Sequence, residues 1–121
     1  MSDHADRAAK YAARARHYLA NATRLAAETG GVEKAGEMVW GALVFACKAA
    51  AAMRGKHLKS MAVVKWAKRE GLIPRDDAGT VAVARSLHGH FYEVDLERDE
   101  LLAMKDNVEV LVDKVLSEVG L

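Results

Sequence analysis

The first quarter of the chain is dominated by one spacing pattern. Small apolar residues recur there at alternating steps of four and three: Ala8, Ala12, Ala15, Leu19, Ala22 and Ala26. This is the period of one face of an α-helix. About a fifth of the 121 residues are alanine, which loses no side-chain entropy in a helix, and Pro and Ile each occur once. The pattern therefore predicts an all-α protein.

Four further segments have helical spacing. After a first helix over residues 3–28, we expect helices over 32–54 and 58–70, a fourth from Asp76 or Asp77 to about Tyr92, and a last one capped by Asp95. The glycines at 30, 31, 55 and 71 and the proline at 74 separate the first four. In the third helix we expect Leu58, Met61, Ala62 and Trp66 to face inward. The sequence predicts one domain over residues 1–121, an up-down bundle of four to five helices.

The second helix is apolar nearly all round, which is typical of the central helix of a bundle. Its apolar stretch from Met38 to Met53 spans 16 residues and contains Lys48. About 20 apolar residues are needed to cross a bilayer, so we interpret this stretch as a buried helix. A lone cation there must extend to solvent, meet a carboxylate or face a cleft.

The charges are divided unevenly along the chain. Residues 1–75 contain 14 basic and 6 acidic residues, a net of +8, and residues 76–121 contain 4 basic and 11 acidic, a net of −7. Such a split indicates a surface that binds polyanions, or two parts that pack against each other. We expect part of the charge to cancel inside one domain, leaving a basic surface on the first and third helices.

The cellular setting is inferred from two features. Cys47 is the only cysteine, so no internal disulfide can form, which fits the reducing cytoplasm. The N-terminus is charged and has no apolar core of a secretory signal. We expect a cytoplasmic protein that does not engage a membrane and that needs neither a metal nor another cofactor.

Arg85 and His90 are the residues best suited to catalysis. Histidine moves protons near neutral pH, and a guanidinium stabilises the charge that develops on a phosphodiester during cleavage. With the RNA 2′-OH as nucleophile, the two could act as a metal-independent endoribonuclease. In a chain of this composition, however, an Arg and a His at this spacing are expected about once by chance.

Three segments together resemble the archaeal PaREP family of the HEPN superfamily. They are Glu37-Met-Val-Trp40-Gly-Ala-Leu-Val-Phe-Ala-Cys-Lys48-Ala-Ala, Gly55-Lys-His-Leu58-Lys-Ser60 and Ala84-Arg-Ser-Leu-His88-Gly-His-Phe91-Tyr92-Glu93. The resemblance implies a helical bundle that pairs as a homodimer. Arg85 and His90 are similar to the Arg-x(4–6)-His motif of HEPN endoribonucleases, which acts at the dimer cleft. Tyr92 also matches a common form of this motif, whereas the position after Arg85 is Ser86, where Asn, Asp or His is common.

Two functions remain open. The first is an RNA-directed endoribonuclease or toxin-like protein with Arg85 and His90 as catalytic residues and His88, Tyr92 and Lys48 as binding residues. The second is a non-catalytic module that binds a nucleotide, a nucleic acid or a protein such as a minimal nucleotidyltransferase. Structural roles compete with both. His88 can be a hydrogen-bonded structural histidine, and Arg85 can pair with an acidic residue of the last helix. The first helix also carries a polar, mostly basic stripe, which can be a solvated face; it consists of Arg7, Lys10, Arg14, His17, Asn21 and Arg24.

Overall fold

The computed structural model describes residues 3–88 and 96–121, and these form five α-helices. The helices are α1 (Asp3–Ala26), α2 (Val32–Met53), α3 (Ser60–Arg69), α4 (Ala78–Ser86) and α5 (Arg98–Glu118), with a short 3-10 helix at Arg75–Asp77. No strand occurs in either described range. The prediction of an all-α protein is confirmed.

The small-residue stripe of α1 is buried along its whole length. All six predicted positions, Ala8, Ala12, Ala15, Leu19, Ala22 and Ala26, are at most 3% exposed. They pack mainly against α2, with α5 as a second neighbour. Small side chains let the two helix backbones approach closely, and Gly41 is the clearest example, because a Cβ there would lie 2.8 Å from the Tyr18 ring.

Helix α2 is the central element of the fold, as its apolar sequence predicts. It contacts α1, α3, α4 and α5, and every residue from Met38 to Ala52 is buried or half-buried. Among the described helices, α2 alone is long and apolar enough to span a membrane, but 67% of its most apolar window is buried inside the protein. Such burial is typical of a core helix.

Two expectations about α3 and α4 are wrong. Ala62 is exposed, and α3 instead buries Val63, Val64 and Ala67 beside Trp66. The branched valines bury more apolar area than Ala62 does, which favours this rotation of the helix. Helix α4 ends at Ser86 rather than near Tyr92.

The early end of α4 has a local cause. The Ser86 hydroxyl donates a hydrogen bond to the Val83 carbonyl at 2.6 Å, and the N–H groups of Leu87 and His88 bond three residues back, to Ala84 and Arg85. Serine competes for helix carbonyls in this way, and a tightened last turn commonly closes a helix.

The N-terminal caps differ in detail from those predicted. Asp77 is the N-cap of α4, but its carboxylate accepts a hydrogen bond from Lys114 of α5 at 3.0 Å instead of capping the helix. Glu97 and Glu100 form a capping box at the start of α5. Asp95, the predicted cap, lies outside the described residues. The Asp77–Lys114 pair ties the start of α4 to α5.

Candidate nucleic-acid interface

Arg85 lies on the exposed side of α4 and borders a cleft between α3 and α4. The cleft has a volume of about 420 Å³ and is lined by Met61, Lys68, Val81, Ala82, Arg85 and Ser86. Within the described ranges, Arg85 forms no ion pair, so the competing role as a partner of an acidic residue on the last helix is not observed there.

A second cleft adjoins the first. It has a volume of about 320 Å³ and is lined by Lys68, Arg69, Ile73, Pro74, Arg75 and Ala78. The two clefts share Lys68 in their linings, and we call the two together the basic groove. Its four cations are exposed, and none forms an ion pair with a carboxylate of the described residues. Of the basic residues predicted to face outward from α3, Lys68 lines the cleft with Arg85, Arg69 lines the second cleft, and Lys65 lines neither.

His88 is a surface residue that is hydrogen-bonded, as the structural alternative for it predicts. Its Nδ1 atom lies 2.9 Å from Oε2 of Glu37, and its ring lies 6.1 Å from the Trp40 ring, centroid to centroid. The side chain of His88 is 61% exposed, and that of Glu37 is 45% exposed. An exposed pair of this kind contributes at most about 1 kcal/mol to stability. His90 and Tyr92 lie outside the described residues.

Lys48 faces a cleft, the third of the environments expected for it. The cleft, which we call the lysine cleft, has a volume of about 180 Å³ and is lined by Tyr11, Lys48, Lys56, His57, Leu58 and Lys59. Nζ of Lys48 lies 5.9 Å from the centroid of the Tyr11 ring and 5.6 Å from that of the Phe45 ring. Both distances are within the range of cation–π attraction, so the rings attract the ammonium of this half-buried residue.

Part of the basic stripe of α1 borders the same region. Nη1 of Arg7 lies 2.9 Å from Nδ1 of His57, which connects α1 to the segment before α3. The Arg14 guanidinium carbon lies 5.0 Å from the centroid of the Phe45 ring. Toward its C-terminal end the stripe pairs locally, with His17 bonded to Asn21 and Arg24 to Glu28. Arg7 of the stripe therefore contacts a residue that lines the lysine cleft, whereas no residue of the stripe itself lines it.

Cys47 is excluded as a reactive residue. Burial raises the pKa of its thiol to about 12, so the nucleophilic thiolate is scarce near neutral pH. Among the residues that the structure describes, no three His, Cys, Asp or Glu side chains are grouped to hold a metal ion.

Most residues that line the basic groove and the lysine cleft were not predicted from the sequence to be site residues. Arg7 and His57 are 50 positions apart, and no spacing rule brings them together. The segment Gly55-Lys-His-Leu58-Lys-Ser60 did carry a signal, because three of its six residues are basic or histidine and it separates two apolar helices. For the basic groove, the outward-facing lysines and arginines of α3 were the available signal.

Comparison of the chain with protein-family models, with curated proteins and with solved structures finds no match. Function therefore has to be argued from the side chains that the fold brings together.

Proposed function

We propose that this protein is an RNA-directed, HEPN-like helical protein that acts in the cytoplasm as a homodimer and holds RNA phosphates in the basic groove. The observation that supports this most directly is the position of Lys68, which borders both clefts and so joins Arg85 to Arg69 and Arg75. The PaREP-like residues of the sequence point to the same function.

The chemistry of the groove suits a polyanion. Arginine presents a planar fork of donors that matches phosphate oxygens, and lysine adds a compact point charge. Four exposed cations that have no carboxylate partner among the described residues retain their full charge for a ligand. Successive phosphates of an RNA strand can bind successive cations, and each contact releases a condensed counterion.

Neutralising the groove is expected to weaken RNA binding and to lower its dependence on salt. For the double variant Lys68→Gln/Arg85→Gln and a single-stranded RNA, the slope of log K against log salt is negative and should become less steep by about 1.4, since each lost contact removes about 0.7 from its magnitude. Fluorescence anisotropy of a labelled RNA, titrated at several salt concentrations, measures both quantities.

Lys65→Gln is the matched control, because Lys65 is an exposed lysine of the same helix that borders neither cleft. Its affinity and salt slope should stay close to those of the unmodified protein. Equal losses in the control and the double variant would show diffuse attraction and overturn the groove as the binding site.

The second candidate is RNA cleavage, with Arg85 stabilising the scissile phosphate and His90 moving protons. The position of Arg85 in the groove, without a carboxylate partner in the described ranges, favours it. General acid–base catalysis by a positioned histidine contributes roughly 10²- to 10⁴-fold to a rate. His90→Ala and Arg85→Ala should therefore each lower the cleavage rate by about 100-fold or more, measured on labelled RNA in the presence of a chelator.

His17→Ala is the control for this assay, because His17 is an exposed histidine of α1 whose ring bonds Asn21. It should cleave at the rate of the unmodified protein. RNA that is bound but left intact by the unmodified protein would contradict catalysis and support the non-catalytic binding module.

A further inference from the structure

We propose that the lysine cleft is a second, separate binding site, which takes the phosphate monoester group of a nucleotide or of a nucleic-acid end. It is formed by α1, α2 and the segment before α3, and none of its lining residues borders the basic groove. The inference does not depend on the RNA-directed function of that groove.

The charge of the cleft is uncompensated within the described chain. Lys48, Lys56 and Lys59 line it, and none of them forms an ion pair with a described carboxylate. Arg7 adds a further cation through its contact with His57. Like charges gathered around one cleft repel each other, and an anion bound among them replaces this repulsion with attraction.

Lys48 makes the cleft more than a basic patch of surface. Its stem lies in the most apolar helix of the protein, and the residue is half-buried there. Its ammonium lies within cation–π range of the Tyr11 and Phe45 rings. Because these rings and the helix fix the position of Lys48, a bound anion would meet a cation that already lies at the wall of the cleft.

Size and charge together indicate the class of ligand. At about 180 Å³, the cleft is smaller than the roughly 300–1,000 Å³ typical of pockets that enclose a whole organic ligand. It therefore suits a charged group, with the remainder of the molecule outside. A phosphate monoester has three terminal oxygens and a charge of about −1.5 to −2 at pH 7. Three lysines therefore bind it more strongly than they bind a carboxylate or a bridging phosphodiester, each of which carries a single charge.

The test is calorimetric titration of the full chain with inorganic phosphate and with adenosine monophosphate, at constant ionic strength maintained with sodium chloride. We expect one site per chain, and at least tenfold weaker binding to Lys48→Met, which keeps the aliphatic stem. Lys34→Met is the matched control, because Lys34 is an exposed lysine of the same helix outside the cleft. It should bind like the unmodified protein.

The double variant Lys56→Gln/Lys59→Gln covers the case in which Lys48→Met does not fold, because both residues are exposed. It should also bind phosphate at least tenfold more weakly. Lys65→Gln, at an exposed lysine of α3 that lines neither the lysine cleft nor the basic groove, should leave phosphate binding unchanged. No saturable binding of either phosphate, or equal binding to Lys48→Met and Lys34→Met, would overturn the proposal.

A pair of oligonucleotides identifies the source of the phosphate. An RNA with a 5′-phosphate and the same RNA with a 5′-hydroxyl differ in one monoester group only. Tighter binding of the first, lost in Lys48→Met, would assign the cleft to nucleic-acid ends. Equal binding of the two, together with binding of adenosine monophosphate, would assign it to free nucleotides.

Discussion

Replacing Gly31 with alanine is expected to lower the free energy of unfolding by about 3 kcal/mol or more. Gly31 is the N-cap of α2, at the point where the chain turns back after α1. A Cβ atom there would lie 1.8 Å from the carbonyl oxygen of Leu25. The obstructing atom is backbone at the end of α1, so it cannot move aside as the end of a long side chain would, and the connection between the two largest packed helices must distort.

Gly79→Ala is the control for this substitution. Gly79 lies within α4, and a Cβ there would meet no atom within 4 Å. Alanine has the higher helix propensity, so Gly79→Ala should raise the free energy of unfolding by up to about 1 kcal/mol. Urea denaturation followed by the fluorescence of the buried Trp40 and Trp66 measures both changes. Comparable stability of the two variants would contradict the close contact at Gly31.

The Gly30–Gly31 pair shows how far turn chemistry can be predicted from the sequence. The glycines correctly indicated the end of α1, because glycine favours the left-handed conformation that closes a helix. Only Gly30 adopts it, with φ of 73°, whereas Gly31 has φ of −86°. Gly31 is needed for a steric reason, because a side chain there would collide with the backbone of Leu25, six residues earlier. Rules for turn residues consider backbone angles only and do not predict this contact.

The buried face of a helix could be predicted where residues of one kind recur at helical spacing along that face. The stripe of α1 was identified completely, because small apolar residues alternate there with charged ones. In α3, Ala62, Val63 and Val64 are all apolar, so the periodicity allowed more than one rotation of the helix, and packing against α2 selected the valines.

The candidate sites were harder to predict from the sequence than the helix faces, because they depend on contacts between residues that are far apart in the chain. Lys48 stood out in the sequence because a lysine in an apolar helix needs an explanation. The Arg7–His57 contact and the sharing of Lys68 between two clefts could not be predicted, since both arise from how α1, α3 and α4 are arranged. His88 was identified as noteworthy, but its partner Glu37 is 51 positions away.

The two basic sites also clarify the uneven charge along the chain. The expected pairing of the acidic half with the basic half is not seen in the described ranges, where no Asp or Glu of residues 76–121 forms an ion pair with a Lys or Arg of residues 1–75. Asp77 instead pairs with Lys114, and Lys105 of α5 lies beside Asp106 and Glu109. These contacts join acidic residues to the few cations of the same half. The cations of the lysine cleft and most of those in the basic groove belong to the first half, and they retain their charge.

Adding a lysine to α2 two positions before Lys48 is expected to destabilise the protein strongly. Ala46 is fully buried, and at about 100° per residue it points to a different side of the helix from Lys48. In Ala46→Lys the ammonium would lie in the core without a partner, so the free energy of unfolding should fall by about 4 kcal/mol or more. Since a whole domain is stable by only about 5–15 kcal/mol, this loss would remove a large part of the total stability.

Two further variants distinguish the effect of where the lysine lies in α2 from the effect of adding a positive charge. The double variant Ala46→Lys/Lys48→Ala has the same composition and net charge as the unmodified protein, and it should be as unstable as Ala46→Lys. Met53→Lys adds a cation at the last residue of α2, which is 38% exposed, and should change the stability by no more than about 0.5 kcal/mol. Circular dichroism and urea denaturation compare them, and a stably folded double variant would show that α2 has no fixed face toward the lysine cleft.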